Sequence, residues 1–345
     1  MRRPPWGDAA AASRSKAARA WQRGGAALGR SALPVGGAAT GGMMLLFLEQ
    51  LLNGVQFGMT LFLMAAGLTL VFGVMNFINL AHGSLFMAGA YIAAVVTAQT
   101  GSFLTGLVVG VGGAALFGVL LDRLIVRRLE GRDHLDQVLA TFAVILIANE
   151  TVRLVFGRQP LALDPPAWLS GTVEILPGAP YPIYRLAVIG VGLAVMLFLY
   201  WLVMRTKVGM WVRAGASNPE MIQLLGVDIS RLNGLIFALG AGLAGLAGIV
   251  AGPFIAIQSG MGETVLILAF VVVVIGGIGS ITGAAIGALV VGIGDTLGRA
   301  YLPDLLRAIV PAGTADGLGP ALASMGIYLL MAVVLAVRPK GLMAR

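Results

Sequence analysis

The chain has 345 residues, of which 58% are hydrophobic and only 11% are charged, with a formal net charge of +8. A soluble domain carries about 25% charged residues because its surface faces water, so this composition excludes an ordinary soluble class and indicates a membrane protein. The sequence contains no cysteine, which excludes disulfides, thiolate metal sites and iron–sulfur clusters.

Residues 1–42 are rich in Ala, Gly and Arg and precede the first apolar run. They carry seven Lys/Arg against Asp8 alone, so the net charge comes mainly from this segment and predicts no nucleic-acid partner. The segment also lacks the apolar stretch of a secretory signal. Because the apolar pattern begins at Met43, we favour a start codon placed too early, with a disordered extension as the alternative. Residues 43–345 are predicted to form one transmembrane domain.

Apolar runs long enough to cross a bilayer follow one another along this domain. A hydrocarbon core takes roughly 20 helical residues, and backbone polar groups in lipid must be paired within the segment, so we predict an all-α bundle. The runs fall at about 46–74, 81–98, 102–121, 137–157, 185–204, 232–257, 263–279, 283–298 and 321–337. We expect eight or nine membrane helices, because the first run and the 263–298 region can each be divided differently.

A polar segment at 76–84 separates the first apolar run from the second. Amide, imidazole and hydroxyl groups within lipid are costly unless they line a cavity or break a helix. The segment is therefore either part of a translocation path or a short polar turn at the cytoplasmic face. The candidate path residues here are Asn76, Asn79, His82 and Ser84. We expect no metal at His82, because the only other histidine is His134 in a loop.

The acidic residues Glu150, Glu263 and Asp295 fall in or near later apolar runs. Glu150 lies in the fourth run with Arg153 one turn on. A carboxylate in lipid is a functional-site hypothesis by default, but an ion pair with Arg153 near the external surface is an equal alternative. Glu263 and Asp295 lie near the ends of their segments, where we expect both to contact water.

The distribution of Lys and Arg orients the bundle, because cytoplasmic loops are enriched in these residues. They concentrate in the 122–136 loop, the 205–231 loop and the stretch after residue 337. These regions lie an even number of crossings apart and are predicted to share the cytoplasmic side, which places the C-terminus there. The proline-rich 158–184 loop is predicted to be extended and external.

The 205–231 loop contains a predicted short helix. Asn218 suits its cap, Pro219 its first turn and Glu220 its positive end, and the helix should stop at Gly226. Its apolar residues are Met221, Ile222, Leu224 and Leu225. Such a face is unusual in a cytoplasmic loop and predicts docking into a partner's groove, with packing on the chain's own helices as the alternative.

A second interruption is predicted near 276–283. Closely spaced glycines favour unwinding of a helix, and interrupted segments in both halves of a membrane chain indicate a translocation path. A plain loop between two helices is the alternative. The candidate path residues here are Gly276, Gly277, Gly279 and Ser280.

Small residues at four-residue spacing predict close helix packing in lipid. The pairs are Gly54/Gly58, Gly106/Gly110, Gly248/Gly252 and Gly283/Gly287. The stretch 240–245 matches a dinucleotide-binding pattern, but no strand precedes it, so we predict that these glycines also serve packing.

The chain contains no GxxxxGK[ST], HExxH or GxSxG pattern and only three lysines. It is therefore not expected to bind ATP phosphates or to act as a membrane protease or lipase. We predict no catalytic residue, no cofactor and no metal.

Taken together, these segments resemble the permeases of branched-chain amino acid ABC importers. The resemblance runs from about Met44 to the C-terminus. It is carried, in order, by residues 54–73, 78–83, 213–228, 276–284 and 339–342. Thr282 stands where proline is common in such permeases, and Leu80 where an aromatic residue is usual, so the substrate stays open.

The resemblance implies a multi-pass subunit of the bacterial inner membrane that moves branched-chain or related amino acids inward by alternating access. It also implies a second homologous permease, two cytoplasmic ATPases that hydrolyse ATP, and a periplasmic solute-binding protein. The ATPases would dock on the 205–231 loop. The residues implied for this coupling are Asn218, Pro219, Glu220, Leu224, Leu225 and Gly226. Urea, short amides or sugars remain alternative substrates, and an ion-coupled secondary carrier that uses Glu150 is the alternative class.

Overall fold

The first half of the chain forms four long helices in the computed structural model, which describes residues 38–176 and 179–343. They are α1 (Ala38–Met75), α2 (His82–Thr100), α3 (Phe103–Leu121) and α4 (His134–Phe156). Helix α3 continues through a π-helical turn, Asp122–Val126, and a last turn, Arg127–Leu129. Residues 1–37 of the predicted extension lie outside the described residues. Residues up to Leu46 form a separate unit, and a second unit begins at Phe47 and contains the rest of the bundle.

The predicted external loop contains a 3-10 turn, Ala167–Leu169, and an antiparallel hairpin of β1 (Thr172–Leu176) and β2 (Ala179–Pro182). Val173 pairs with Tyr181 in this hairpin. The second half of the chain is again helical. Its helices are α5 (Ile183–Arg205), α6 (Lys207–Ser217), α7 (Pro219–Leu224), α8 (Ile229–Ala251), α9 (Met261–Gly276), α10 (Ile281–Leu306) and α11 (Ala312–Val337).

Within the described ranges, eight helices are long and apolar enough to cross a membrane, namely α1 to α5, α8, α10 and α11. Helix α9 is apolar but has only 16 residues. The predicted all-α bundle of eight or nine helices is therefore confirmed. Both predicted interruptions are confirmed as well, since α1 ends at Met75 before α2 begins at His82, and α9 ends at Gly276 before α10 begins at Ile281.

Helix α8 lies at the centre of the packing and contacts α2 and α3 through small residues. A Cβ placed on Gly245 would overlap Ala114 of α3, and one placed on Gly248 would overlap the carbonyl of Phe86 in α2. The prediction that the 240–245 glycines serve packing is confirmed, because a side chain there would force the helices apart.

The predicted four-residue glycine pairs also lie at close approaches. A Cβ on Gly54 would lie 2.8 Å from the Cα of Ile293, and one on Gly58 would lie 2.8 Å from the carbonyl oxygen of Ala288. These two residues therefore set the spacing between α1 and α10. The other three pairs make comparable contacts within the described chain.

Two basic loops meet at one end of the bundle, as their charge predicted. Arg127 Nη2 donates to the carbonyl oxygen of Ser230 at 3.3 Å, which joins the 122–136 loop to the start of α8. The Ile78 amide donates to Gln137 Oε1 at 3.4 Å, which brings the segment after α1 to the start of α4 at the same end.

The expectation that Asp295 contacts water is wrong. The residue is 5% exposed, and its carboxylate accepts a hydrogen bond from Arg299 Nε at 2.8 Å. Arg299 in turn donates to Ser324 of α11. The error arises because α10 continues to Leu306, well past the predicted end at 298, so that Asp295 falls in the interior of the helix.

Candidate translocation path and coupling surface

Asn76 ends α1 by adopting a positive φ of 48° while its amide still donates to the carbonyl of Phe72. Asparagine is one of the few non-glycine residues that tolerate this left-handed conformation. The chain then leaves the helix for residues 77–81. Asn76 is exposed, whereas Phe77 and Asn79 are buried, so the segment turns from the surface into the bundle.

His82 shows how far this segment turns inward. Its Nε2 lies 3.3 Å from the carbonyl oxygen of Met64 and donates to it. Met64 lies 11 residues before the end of α1 at Met75, which corresponds to about 16 Å along the helix axis. Helix α2 therefore begins beside the apolar interior of α1. His82 is fully buried, and among the described residues its Nδ1 and the Nδ2 of Asn79 lack hydrogen-bond partners.

A second helix begins at the same place. A Cβ placed on Gly83 would lie 2.8 Å from the carbonyl oxygen of Gly262, in the first turn of α9. The starts of α2 and α9 therefore meet backbone to backbone. Helix starts carry partial positive charge and unpaired N–H groups, and in transporters they commonly face the substrate.

The non-helical segment 252–260 that leads into α9 was missed by sequence reasoning. It follows the end of α8 and pairs with the 158–184 loop through an antiparallel bridge between Leu161 and Ile257. The segment then ends at Gly260, whose φ of 88° starts α9. The signals were present in Gly252-Pro253 and in Gln258-Ser-Gly260, but the apolar residues between them looked like continuing helix.

Asn149 of α4 holds this segment in place. Its Nδ2 donates to Glu263 Oε1 at 2.6 Å, and its Oδ1 accepts from the Gly260 amide at 3.1 Å. Its carbonyl oxygen accepts from the Ser259 hydroxyl at 3.2 Å. These hydrogen bonds fix the start of α9 against α4, and Glu263 is half-buried beside them.

The two predicted groups of path residues lie apart. Asn79, His82 and Ser84 are buried around the start of α2, next to the start of α9. Gly276, Gly277, Gly279 and Ser280 form the turn at the other end of α9, whose 16 residues span about 24 Å. The path residues therefore do not form one cluster.

The glycine turn is closely packed by its neighbours. Gly276 lies against Gly283 so tightly that a Cβ on either would overlap the other's backbone, and Gly279, with a φ of 79°, lies against Gly73. Ser280 caps α10 by accepting from the Gly283 amide at 3.0 Å. The close packing explains why glycine is needed at these positions. A role of these residues in the path stays a prediction.

A cavity of about 390 Å³ lies beside Ser84, between α2, α3 and α4. Its volume falls within the roughly 300–1,000 Å³ typical of small-molecule pockets, which are mostly apolar with a few polar groups. The hydroxyl-bearing residues in its wall are Ser84, Tyr91 and Thr151, and the remaining lining residues, such as Phe117, Val144 and Phe156, are apolar. The cavity can accept an aliphatic group next to the start of α2.

The predicted short helix of the 205–231 loop is confirmed as α7, Pro219–Leu224, and its role in coupling stays a prediction. Asn218 Oδ1 accepts from the Met221 amide at 3.0 Å, Pro219 occupies the first turn, and Gly226 has a φ of 83°. Glu220 is exposed in the first turn.

The apolar residues of α7 divide into two groups. Ile222 is 3% exposed and holds α7 to the bundle, whereas Leu224 and Leu225 are 83% and 76% exposed. Met221 is also exposed. Large apolar side chains grouped on one surface commonly mark a protein interaction site.

Glu150 is exposed and forms an ion pair with Arg153 at 2.7 Å. Of the two hypotheses for this carboxylate, the geometry favours the ion pair.

Comparison with known proteins agrees with this architecture. Residues 50–336 match the family model described as branched-chain amino acid transport system / permease component. The chain is 31% identical over 320 residues to the high-affinity branched-chain amino acid transport system permease protein LivH of Escherichia coli K12, covering 87% of this chain and 96% of the relative.

Two further relatives extend the comparison. The corresponding protein BraD of Pseudomonas aeruginosa is 29% identical over 313 residues, with the same shares covered. The ribose import permease protein RbsC of Escherichia coli K12 is 25% identical over 245 residues, covering 67% of this chain and 71% of the relative. No solved structure gave a significant match. With a family match over most of its length and eight apolar helices, the chain is a multi-pass membrane protein that belongs to the family of branched-chain amino acid transport permeases.

Proposed function

We propose that this chain is the permease subunit of an ATP-binding-cassette importer in the bacterial inner membrane, and that it carries branched-chain amino acids into the cytoplasm. It pairs with a second homologous permease, two cytoplasmic ATPases and a periplasmic binding protein. The C-terminus and the 205–231 loop face the cytoplasm, where the basic residues concentrate.

The exposed apolar surface of α7 carries this proposal. A capped helix that buries Ile222 while exposing Leu224 and Leu225 is suited to fit a groove on another protein. Because the chain lacks a phosphate-binding loop, the work of transport must come from a partner, and α7 is the surface that receives it. Residues 218–226 are the proposed coupling residues.

The proposed path begins at the meeting point of α2 and α9. Asn79, His82 and Ser84 offer polar groups there, and the adjacent cavity offers an apolar wall for an aliphatic side chain. A zwitterionic amino acid with a branched side chain needs both environments. ATP binding by the partners moves α7, and the resulting rearrangement exposes the path to alternate sides of the membrane.

Two alternative functions are a sugar permease and an ion-coupled carrier. The similarity to a ribose import permease keeps a sugar as the second candidate substrate. An ion-coupled carrier would need a carboxylate that changes its protonation within the path, whereas Glu150 is exposed and paired with Arg153.

Reconstitution tests the proposal. The chain is co-purified with the proposed second permease and two ATPases, placed in liposomes and supplied with the proposed binding protein. We expect radiolabelled leucine, isoleucine and valine to accumulate only when ATP is present on the ATPase side. An importer whose ATPases bind but do not hydrolyse ATP is the control. Accumulation of ribose instead of leucine would identify the chain as a sugar permease. Uptake by this chain alone, driven by a proton gradient, would refute the proposal.

A further inference from the structure

A group of polar residues joins the end of α3 to the start of α8, outside the path and the coupling surface. We call it the polar clamp, and it consists of Asp122, Arg127, Glu130, Asn233 and the carbonyl group of Ser230. Arg127 Nε donates to Asp122 Oδ2 at 2.9 Å, while Arg127 Nη2 donates to the Ser230 carbonyl at 3.3 Å. Asn233 Nδ2 donates to Glu130 Oε1 at 3.0 Å. The two helices are thus joined by two separate connections.

Asp122 is the unusual member of the clamp. Its side chain is 1% exposed, and its Oδ1 has no hydrogen-bond partner within the described chain. Burying a carboxylate costs solvation that its attraction to Arg127, whose side chain is 37% exposed, only partly returns. This ion pair therefore contributes little to stability, which points to a role other than holding the fold. Burial likewise raises the pKa of the neighbouring Glu130 carboxyl, against the opposing hydrogen bond from Asn233.

The backbone is shaped to form the clamp. In an α-helix, residues i and i+5 do not lie on the same face. The turn Asp122–Val126 is π-helical, and the Arg127 amide donates to the carbonyl of Asp122, which brings the two residues together. Such turns are rare and occur frequently at functional sites.

Gly234 on α8 leaves room for the clamp. A Cβ at this position would lie 3.1 Å from both Arg127 Nη2 and Asp122 Oδ2. Any larger residue would therefore crowd this ion pair. The absence of a side chain at Gly234 on α8 matches the position of the ion pair at the end of α3. This complementarity indicates a specific contact between the two helices.

Helix α8 connects the polar clamp to the proposed coupling surface on α7. Helix α8 begins a few residues after α7 and contacts both α6 and α7. Further along, Gly240 of α8 lies against Gly67 of α1, and a Cβ on Gly67 would lie 3.0 Å from His82 Nε2. Helix α8 therefore runs from the coupling surface to the helix start in the path.

We propose that the polar clamp is a positioning device that makes α3 and α8 move as one body when a partner displaces α7. Without it, a push on α7 would bend or fray the start of α8 and would not reach the path. The inference rests on the proposed function, since it assumes a partner that moves α7.

The experiment uses the reconstituted importer and measures leucine uptake and ATP hydrolysis in the same vesicles. The double variant Asp122→Leu/Arg127→Leu removes both charges together and so avoids leaving one buried charge unpaired. We expect ATP hydrolysis within about twofold of wild type but at least a fivefold loss of leucine moved per ATP hydrolysed. The matched control is Arg132→Leu/Asp136→Leu, which removes an exposed ion pair between the loop before α4 and the first turn of α4 and should leave the ratio unchanged.

A second variant, Gly234→Ala, keeps every charge but crowds the clamp, and we expect the same loss of coupling. An unchanged ratio in both variants would overturn the proposal. So would an equal fall of uptake and hydrolysis together with a lowered melting temperature, because it would mean that the clamp only supports the fold. Failure of the wild-type importer to accumulate leucine would instead count against the proposed function.

Discussion

Gly83 and Gly262 lie backbone against backbone, with the position of a Gly83 Cβ only 2.8 Å from the carbonyl oxygen of Gly262. This contact fixes the distance between the starts of α2 and α9. Because both partners are backbone groups, no side-chain rotation can relieve an added methyl group.

We expect Gly83→Ala and Gly262→Ala each to lower the free energy of unfolding by about 1–3 kcal/mol, the usual cost of overpacking. Leucine uptake should fall with it. The check is the melting temperature in detergent together with uptake. Gly112→Ala and Gly190→Ala are matched controls, since no atom lies within 4 Å of their Cβ positions. Equal melting temperatures in all four variants would contradict the contact.

Asn149→Leu should destabilise the start of α9. The substitution keeps the approximate size of the side chain but removes the hydrogen bonds to Glu263 and to the Gly260 amide. A polar group left without its partner costs about 1–3 kcal/mol, which a thermal unfolding measurement detects. Thr151→Val is the control, since the Thr151 hydroxyl bonds only to the carbonyl of Ile147 in its own helix. A neutral Asn149→Leu variant would show that α4 does not hold this segment.

Leu224→Asp should abolish docking of the ATPases. The change places a charge on a side chain that is 83% exposed in the free chain and that becomes buried against the partner under the proposed function. We expect at least a tenfold weaker association, or about 1.4 kcal/mol, in a pull-down with the purified ATPases. Leu225→Asp and Gly226→Asp should act in the same way. Leu224→Met, which conserves volume and polarity, should bind normally, and undiminished association of Leu224→Asp would locate the docking surface elsewhere.

The cap of α7 offers a finer test. Asn218→Ala removes the side-chain acceptor of the Met221 amide and should cost the helix about 1 kcal/mol. Asn218→Ser retains an acceptor and should behave as wild type. We expect ATPase association to weaken roughly fivefold in the alanine variant only, measured by titration of the purified subunits. Identical affinities of the two variants would mean that the cap of α7 does not contribute to docking.

Glu150→Gln should leave transport unchanged. The Glu150–Arg153 pair is exposed, and such pairs contribute only about 0–1 kcal/mol. Uptake of leucine by the complete importer should keep its ATP dependence and show no response to a proton gradient. A variant that loses uptake while it still assembles and hydrolyses ATP would revive the ion-coupled carrier.

Much of the helical architecture could be predicted, because a span of apolar residues in lipid has few alternatives to a helix. Both ends of α7 were predictable for a different reason. Asparagine is favoured where a helix begins, as at Asn218, and glycine where a helix stops, as at Gly226. The segment 252–260 was not predictable from hydropathy. Its residues Phe254, Ile255 and Ile257 are apolar, so hydropathy does not distinguish this non-helical segment from the helix before it.

The site was less predictable than the fold because it depends on contacts between distant residues. The sequence indicated that 76–84 and 276–283 interrupt helices, but it could not indicate that α9 separates them. The partner of the α2 start is Gly262, and nothing in the local sequence pairs it with Gly83. The same holds for Asn233 and Glu130, which are 103 residues apart.

The last residues that the structure describes, Leu342 and Met343, are joined to the end of α9. The Leu342 amide donates to the carbonyl of Ile275 at 2.9 Å, and the Met343 amide donates to that of Gly276 at 3.0 Å. A purification tag fused directly after Arg345 would begin close to these bonds, with only residues 344–345 between it and Met343. Expression work on this protein should therefore carry its tag upstream of Met43, and any C-terminal fusion needs a long flexible spacer.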